Sequence, residues 1–281
     1  MVRQLKIMLA PEIVSTTRNW RDFPGQVFIV TLAALIYFGV RMITKGAEDA
    51  AFNNAYDLIT FQSWLKLDFE AWAQSAVLDY RWVVTFFNWV YVWLHWPMLL
   101  GTLLALYHFN RQRYTLMRNA MIVSGALGLM FFVLFPVAPP RFFAGFTDTV
   151  AELSSSYKFL QPPSIVNKYA AMPSFHVGWN VLAGVVIFRS TKSIAVRIFA
   201  VSSPLLMSIA VILTGNHWIV DGFVGIALVM IGLFVAHRLG WLTHRWKETT
   251  DASSNQHDKA AQESELEKVG PAGIEPTTER L

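Results

Sequence analysis

The chain has 281 residues, of which 54% are hydrophobic and only 15% are charged, and its formal net charge at pH 7 is +4. Soluble domains average about 25% charged residues, so this composition indicates an integral membrane protein. The 11 tryptophans and 8 tyrosines suit the aromatic belts of membrane interfaces. The small net charge excludes a nucleic-acid-binding protein. The absence of cysteine excludes disulfides and thiolate metal sites.

In chain order, six apolar segments are long enough, or nearly so, to cross a bilayer, which takes roughly 20 residues. These segments are 26–43, 82–107, 119–137, 174–189, 198–213 and 216–236. The fourth segment is short, and we expect it to begin below the membrane surface. The predicted fold is an all-α integral membrane protein, a six-transmembrane-helix bundle with an outer amphipathic helix and an extracytoplasmic loop over the site.

If the six segments cross the membrane in alternating directions, the clusters of basic residues all lie on one side of it. They are Arg3, Lys6, Arg18, Arg21, Arg111, Arg113, Arg118, Arg189, Lys192, Arg197, Arg238, Arg245 and Lys247. The positive-inside rule makes that side cytoplasmic, which predicts cytoplasmic N- and C-termini in a bacterial plasma membrane. No small-x-small cleavage site follows the first apolar segment, so we interpret that segment as an anchor and not as a cleaved leader.

Two further segments complete the predicted organisation. Residues 52–72 mix aromatic, aliphatic and charged residues at helical spacing, which predicts the amphipathic helix on the outer surface. Residues 248–281 are too polar to bury an apolar face, and we expect a disordered tail. The predicted domains are therefore a membrane catalytic domain, 1–247, and a polar tail, 248–281.

Polar and titratable residues collect where the fourth and sixth segments begin, on the predicted outer face. Ser174 and His176 open the fourth segment, while His217 opens the sixth and is followed four residues later by Asp221. Arg141 lies in the outer loop that precedes them. Ionisable groups at membrane depth are costly and mark functional sites. We therefore interpret this set as a candidate site.

The spacing of these residues permits phosphate chemistry. On a helix, His217 and Asp221 would share one face, where a carboxylate holds an imidazole in one tautomer. Ser174 stands at the N-cap position of the fourth segment. Helix N-termini bind phosphate through backbone N–H groups and the helix dipole. Two such N-termini that converge with Arg141 would form an anion site that needs neither metal nor cofactor.

Two short motifs resemble those of the type 2 phosphatidic acid phosphatase superfamily. Residues 173–176, Pro-Ser-Phe-His, are similar to its second motif, Pro-Ser-Gly-His. The pair His217 and Asp221 is similar to the histidine and aspartate of its third motif. By motif the resemblance covers residues from about 135 to 230, and the six-helix layout extends it over most of the chain.

The resemblance implies a role for each matched residue. His217 would be the nucleophile that attacks phosphorus and forms a phosphohistidine, and Asp221 would raise its basicity. His176 would be the general acid that protonates the leaving oxygen. Ser174 and Arg141 would bind phosphoryl oxygens.

The chain departs from the family pattern at two cation positions. Leu134 stands where the first motif has a lysine, and the motif's Arg-Pro is replaced by the run Pro-Pro-Arg-Phe at 139–142. Residues 210–211, Ala-Val, stand where the third motif has Ser-Arg. This altered pattern is similar to the inositol phosphorylceramide synthase branch, whose members transfer a phosphorylated head group between lipids.

Three other residues are candidates for substrate binding. Asn216 lies next to His217, and Lys168 or Lys158 in the outer loop could replace one missing cation. A site with few cations suits a phosphodiester, which carries less negative charge than a monoester.

The predicted function is an inositolphosphotransferase-like head-group transfer on phospholipid or lipid-linked phosphate. The alternatives are a lipid phosphate phosphatase that hydrolyses phosphatidic acid or polyprenyl phosphate, and a non-catalytic lipid-binding or transport protein. A CDP-alcohol phosphotransferase is excluded because it would need an aspartate cluster for metal.

Several residues also have structural interpretations. We expect His95 to be buried and hydrogen-bonded, outside the chemistry, and Pro97 to kink its helix. Asn180 faces either the site or a neighbouring helix. Asp221 could pair with another helix, and Arg141 could merely anchor lipid phosphates.

Overall fold

A computed structural model describes residues 22–43, 48–153, 168–238 and 240. Within these ranges the chain is all-helical, and a single isolated parallel bridge joins Val137 to Ala170. Contacts divide the chain into two units, Met1–His237 and Arg238–Leu281. Some predictions fall outside the described residues, namely those for Arg3, Lys6, Arg18, Arg21, Lys158, Arg245, Lys247 and the tail 248–281.

Ten α-helices are described. They are α1 (Phe23–Ile43), α2 (Glu48–Trp64), α3 (Glu70–Leu78), α4 (Arg81–Trp89), α5 (His95–Phe109), α6 (Arg111–Leu134), α7 (Thr149–Leu153), α8 (Phe175–Ser190), α9 (Ile194–Leu213) and α10 (Ile219–Arg238). A π-helical turn, Val90–Leu94, joins α4 to α5 without interruption, and a 3₁₀ turn, Pro140–Phe142, follows α6.

Four of the continuous helical segments that the structure describes are long and apolar enough to cross a membrane. They are Arg81–Phe109, which combines α4, the π-helical turn and α5, and the helices α6, α9 and α10. Large apolar side chains on the helices face outward, as lipid contact requires. The protein is thus a helical integral membrane protein. Six spans remain a prediction, since α8 has only 16 residues, or about 24 Å at 1.5 Å per residue.

The predicted amphipathic helix over 52–72 is wrong in one respect, because α2 and α3 replace it as two separate helices. Lys66 has a φ of 57°, and its N–H donates to the Ser63 carbonyl. The Leu67 N–H donates to the Gln62 carbonyl. These bonds form a Schellman motif, which ends a helix at a left-handed residue. The residue in that conformation is most often glycine, so a lysine there cannot be recognised from sequence.

The third predicted segment begins earlier than its apolar run, at Arg111 instead of residue 119. The Asn110 side chain accepts a hydrogen bond from the Arg113 backbone N–H, so Asn110 caps α6. Pro97 is predicted to kink its helix, and the π-helical turn ends three residues before it. Because Pro97 has no N–H, it cannot donate a hydrogen bond to the carbonyl four residues earlier. That carbonyl belongs to Trp93, which lies within the π-helical turn.

Helices α8 and α10 approach each other at two glycines. A Cβ added at Gly178 would lie 2.6 Å from the Gly225 carbonyl oxygen, and one added at Gly225 would lie 2.2 Å from the Ser174 carbonyl oxygen. Small residues allow this close backbone contact between membrane helices. The contact brings the start of α8 against the first turns of α10, where the candidate site lies.

Candidate active site

The turn between α9 and α10 holds His217, two residues before α10 begins. The Val211 carbonyl accepts the backbone N–H groups of Asn216 and His217 at 3.1 and 3.2 Å. The imidazole Nδ1 lies 2.8 Å from the Ala171 carbonyl oxygen. A carbonyl oxygen can only accept, so Nδ1 carries the proton, and in the neutral ring Nε2 carries the lone pair. This is the tautomer that a nucleophile at Nε2 requires.

The Ala171 carbonyl is itself held in place by the segment that follows α6. The Ala171 N–H donates to the Val137 carbonyl at 3.1 Å, and the Val137 N–H donates to the Tyr169 carbonyl at 3.0 Å. Both Val137 and Ala171 are buried. The partner of His217 is therefore a fixed backbone atom, which no side-chain motif can reveal.

Asp221 is fully buried but is not the closest partner of His217. Its Oδ2 accepts the Trp218 backbone N–H at 2.8 Å and lies 3.5 Å from Nδ1 of His217. Its Oδ1 has no hydrogen-bond partner. Because His217 precedes α10, the shared helix face predicted for the two residues is wrong. The carboxylate caps the helix and still lies close enough to stabilise positive charge on the imidazole.

The N-terminus of α10 is closed by buried side chains from α2 and α3. Glu70 Oε1 accepts the Ile219 N–H at 3.0 Å, and Gln62 Oε1 accepts the Val220 N–H at 3.1 Å. Gln62 Nε2 also donates to Glu70 Oε1 at 2.7 Å. These N–H groups cannot bind a ligand, so the predicted pair of phosphate-binding N-termini is wrong for α10. Neither side chain could be predicted from the sequence, because nothing near Glu70 marks it as buried.

Replacing Glu70 should destabilise the start of α10. Glu70→Ala would leave buried donors on Ile219 and Gln62 without an acceptor, and we expect the free energy of unfolding to fall by about 2–3 kcal/mol. Glu70→Gln retains an acceptor oxygen and should lose less. Thermal unfolding in detergent would measure both, with the exposed Asp57→Ala on α2 as a control. Equal losses in Glu70→Ala and Asp57→Ala would contradict the capping role.

The N-terminus of α8 has the opposite character. Ser174 is its N-cap residue, but the Ser174 side chain makes no capping hydrogen bond. Ser174 is fully buried, and its Oγ has no hydrogen-bond partner. The Ser174 backbone N–H donates to the Asp221 carbonyl at 2.9 Å, which places this hydroxyl beside the start of α10. A helix start whose N-cap hydroxyl has no partner can bind a phosphoryl group.

The two histidines of the motifs lie next to each other. The ring centroids of His176 and His217 are 5.7 Å apart, and their planes are tilted by 51°. His217 is 6% exposed, whereas His176 is more accessible. The ring of Tyr91 stacks on His176 at 4.5 Å, and the ring of His95 lies at the same distance. No sequence motif predicts Tyr91 or His95 at the site.

Arg141 is fixed beside His217 through the turn residues that precede the histidine. Its backbone N–H donates to the Gly215 carbonyl at 2.9 Å, and its Nη1 donates to Oδ1 of Asn216. Its Nε lies 3.3 Å from Oδ2 of Asp148. These contacts engage Nε and one hydrogen of Nη1, so Nη2 and the second hydrogen of Nη1 can meet a phosphoryl oxygen. Asp148 also offsets part of the positive charge.

The positions where the family motifs have further cations are apolar here. Leu134 ends α6 with its side chain 74% exposed, and Val211 is buried in an apolar cluster that includes Met207 and Val150. Lys168 lies in an exposed turn, and its predicted part in substrate binding stays a prediction. In the parts of the chain that the structure describes, no group of three His, Asp or Glu side chains could hold a metal ion.

The fold and this site define a helical membrane protein with a histidine pair at one end of its bundle. A family model described as the PAP2 superfamily matches residues 56–235, more than half of the chain. The chain belongs to the PAP2 superfamily. Membership indicates an enzyme that acts on lipid phosphates as a phosphatase or a phosphotransferase. No curated protein and no solved structure matches the chain.

Proposed function

We propose that the protein is a phosphotransferase that moves a phosphorylated head group from a phospholipid diester to an alcohol acceptor through a phosphohistidine. The observation that carries this proposal is the pairing of His176 and His217, whose ring centroids are 5.7 Å apart. At this separation, a phosphoryl group bound beside the two rings can meet a nucleophile on one and a proton donor on the other.

The first chemical step forms a bond between nitrogen and phosphorus. Nε2 of His217 attacks the phosphorus, and the bond from phosphorus to the lipid oxygen breaks. His176 donates a proton to that oxygen, so the lipid leaves as a neutral alcohol. The Nδ1–H bond to the Ala171 carbonyl orients the ring, and the Asp221 carboxylate stabilises the positive charge that develops on it.

The second step returns the phosphoryl group to an oxygen. The acceptor hydroxyl gives its proton to His176, its oxygen attacks phosphorus, and the phosphorus–nitrogen bond breaks. Ser174 Oγ, the Arg141 guanidinium and the start of α8 would hold the phosphoryl oxygens in both steps. Asn216 would contribute indirectly, because its side chain positions Arg141.

The charge of the site favours a diester over a monoester. A monoester carries about −1.5 to −2 charges at pH 7, whereas a diester carries a single one. Arg141 is partly neutralised by Asp148, and the motif positions Leu134 and Val211 supply no further cation. Head-group transfer begins from a diester, and simple lipid-phosphate hydrolysis begins from a monoester.

The site would face the extracytoplasmic side of a bacterial plasma membrane. The Arg113 guanidinium, in the first turn of α6, donates to Ser190 Oγ at the end of α8 at 2.8 Å, so these two helix ends lie together. They carry further basic residues, namely Arg111, Arg189 and Lys192, and this end of α8 is the one opposite to the histidine pair. The positive-inside rule places them in the cytoplasm.

A substrate comparison tests this function. The purified protein in detergent would receive, in separate assays, a phospholipid diester labelled in its head-group phosphate and labelled phosphatidic acid, each with a lipid alcohol as acceptor. We expect labelled head group to appear on the acceptor, and phosphate release from phosphatidic acid to be slower. Rapid phosphate release from the monoester, with no turnover of the diester, would favour the lipid phosphate phosphatase. Lipid binding without turnover of either substrate would favour the non-catalytic alternative.

A further inference from the structure

A polar network outside the motifs lies against the ring of His176. Asn180 follows His176 by one turn of α8 and is fully buried, and His95 at the start of α5 is 3% exposed. Asn180 Nδ2 lies 2.6 Å from the His176 carbonyl oxygen and 2.8 Å from Nδ1 of His95. Tyr91, one turn before His95, stacks on the His176 ring at an interplanar angle of 22°.

The hydrogen bonds fix both the amide orientation and the tautomer of His95. The group that faces the His176 carbonyl must be the amide nitrogen, since two oxygens would repel each other. The second hydrogen of that nitrogen then points at Nδ1 of His95, which must accept it. His95 is therefore neutral and carries its proton on Nε2.

The unpaired end of the Asn180 amide indicates that this side chain does more than pack two helices together. Its Oδ1 is buried and has no hydrogen-bond partner, and such groups are rare in folded proteins. The amide directs both of its N–H groups towards His176 and His95 and leaves its acceptor unsatisfied. An asparagine that only joined two helices would gain stability by pairing both ends.

We propose that Asn180, His95 and Tyr91 are positioning residues for His176 as the general acid, which rests on the function proposed above. The rings of Tyr91 and His95 hold the imidazole in one orientation. Asn180 keeps His95 uncharged, so that no second positive charge opposes a proton on His176. In the described elements packed around His176, titratable rings lie near it at Tyr91, His95 and His217, and Asp221 lies 3.5 Å from His217.

This role predicts a dependence on the leaving group. A general acid is needed when the leaving oxygen is a poorly stabilised alkoxide, and it matters little for p-nitrophenolate, which leaves without a proton. A fault in the position or protonation of His176 should therefore slow cleavage of an alkyl ester much more than cleavage of a p-nitrophenyl ester. A general loss of folding would slow both equally.

The test compares two phosphodiesters that share one head group and differ only in the leaving group, an alkyl alcohol or p-nitrophenol. The main variant is Asn180→Asp, which keeps the shape of the side chain but replaces the donor to His95 with an acceptor. We expect kcat/KM, which reports the step in which the leaving group departs, to fall at least about tenfold for the alkyl ester and less than about threefold for the p-nitrophenyl ester. A second variant, His95→Phe, keeps a ring beside His176 and should show the same selective loss.

The matched control is Asn88→Asp, a buried asparagine that bonds Thr149 and lies outside the site. It introduces the same carboxylate burial, and any loss that it causes should be equal for the two esters. Equal losses in folded Asn180→Asp and His95→Phe, or no loss in either, would overturn the positioning role. A His217→Asn variant assayed in parallel separates the two proposals: if it retained activity on both esters, the proposed function itself would fail.

Discussion

The His217→Asn variant should lose turnover of the labelled diester by about 10³-fold or more, because it removes the Nε2 nucleophile. Asparagine can still place an N–H near the Ala171 carbonyl, which His217 binds at 2.8 Å. The fold should therefore survive. The measurement is head-group transfer in detergent, with thermal unfolding of the same samples.

The control for this variant is His108→Asn, an exposed histidine in the last turn of α5. We expect it to retain wild-type turnover. If folded His217→Asn kept more than about a tenth of the wild-type rate, His217 would not be the nucleophile. The phosphohistidine mechanism would then be wrong.

The Gly225→Ala variant should damage both stability and activity, because α8 and α10 touch at this residue. The added Cβ would lie 2.2 Å from the Ser174 carbonyl oxygen, a backbone atom that cannot rotate away. We expect overpacking of about 1–3 kcal/mol. Moving the start of α8 by about 1 Å would also displace Ser174 and His176, and turnover should fall about 10²-fold.

Gly101→Ala is the matched control for this substitution. Gly101 is a helical glycine in α5, and a Cβ built on it meets no atom within 4 Å. Alanine is the better helix former by up to about 1 kcal/mol, so this variant should be as stable as the wild type or more so. Similar unfolding temperatures and rates for the two variants would contradict the close contact between α8 and α10.

The helices were largely predictable because apolar periodicity is a local property of the chain. The fifth apolar segment ends at Leu213 in both the prediction and the structure, and the second corresponds to Arg81–Phe109. The helix boundaries that were predicted wrongly depend on residues whose conformation or capping role the sequence does not specify. Asn110 caps α6 earlier than its apolar run suggests, and Lys66 ends α2 in a conformation that glycine normally adopts.

The candidate site was predictable only as a set of residue types. The motif spacing singled out His176 and His217, and the structure places their rings 5.7 Å apart. The interactions that orient them were not predictable. The Ala171 carbonyl is a backbone atom, and Asn180 could be assigned to His95 only after α8 had packed against α5.

The sequence by itself determined a chain of apolar helices with titratable residues at the starts of two of them, because hydrophobic pattern and motif spacing are written in neighbouring residues. Only the tertiary structure decided which helix start can receive an anion. Glu70 closes the start of α10 from a position 149 residues away, and at the start of α8 the Ser174 hydroxyl makes no capping bond. Such a bond forms when packing brings distant elements together, and no local pattern records it.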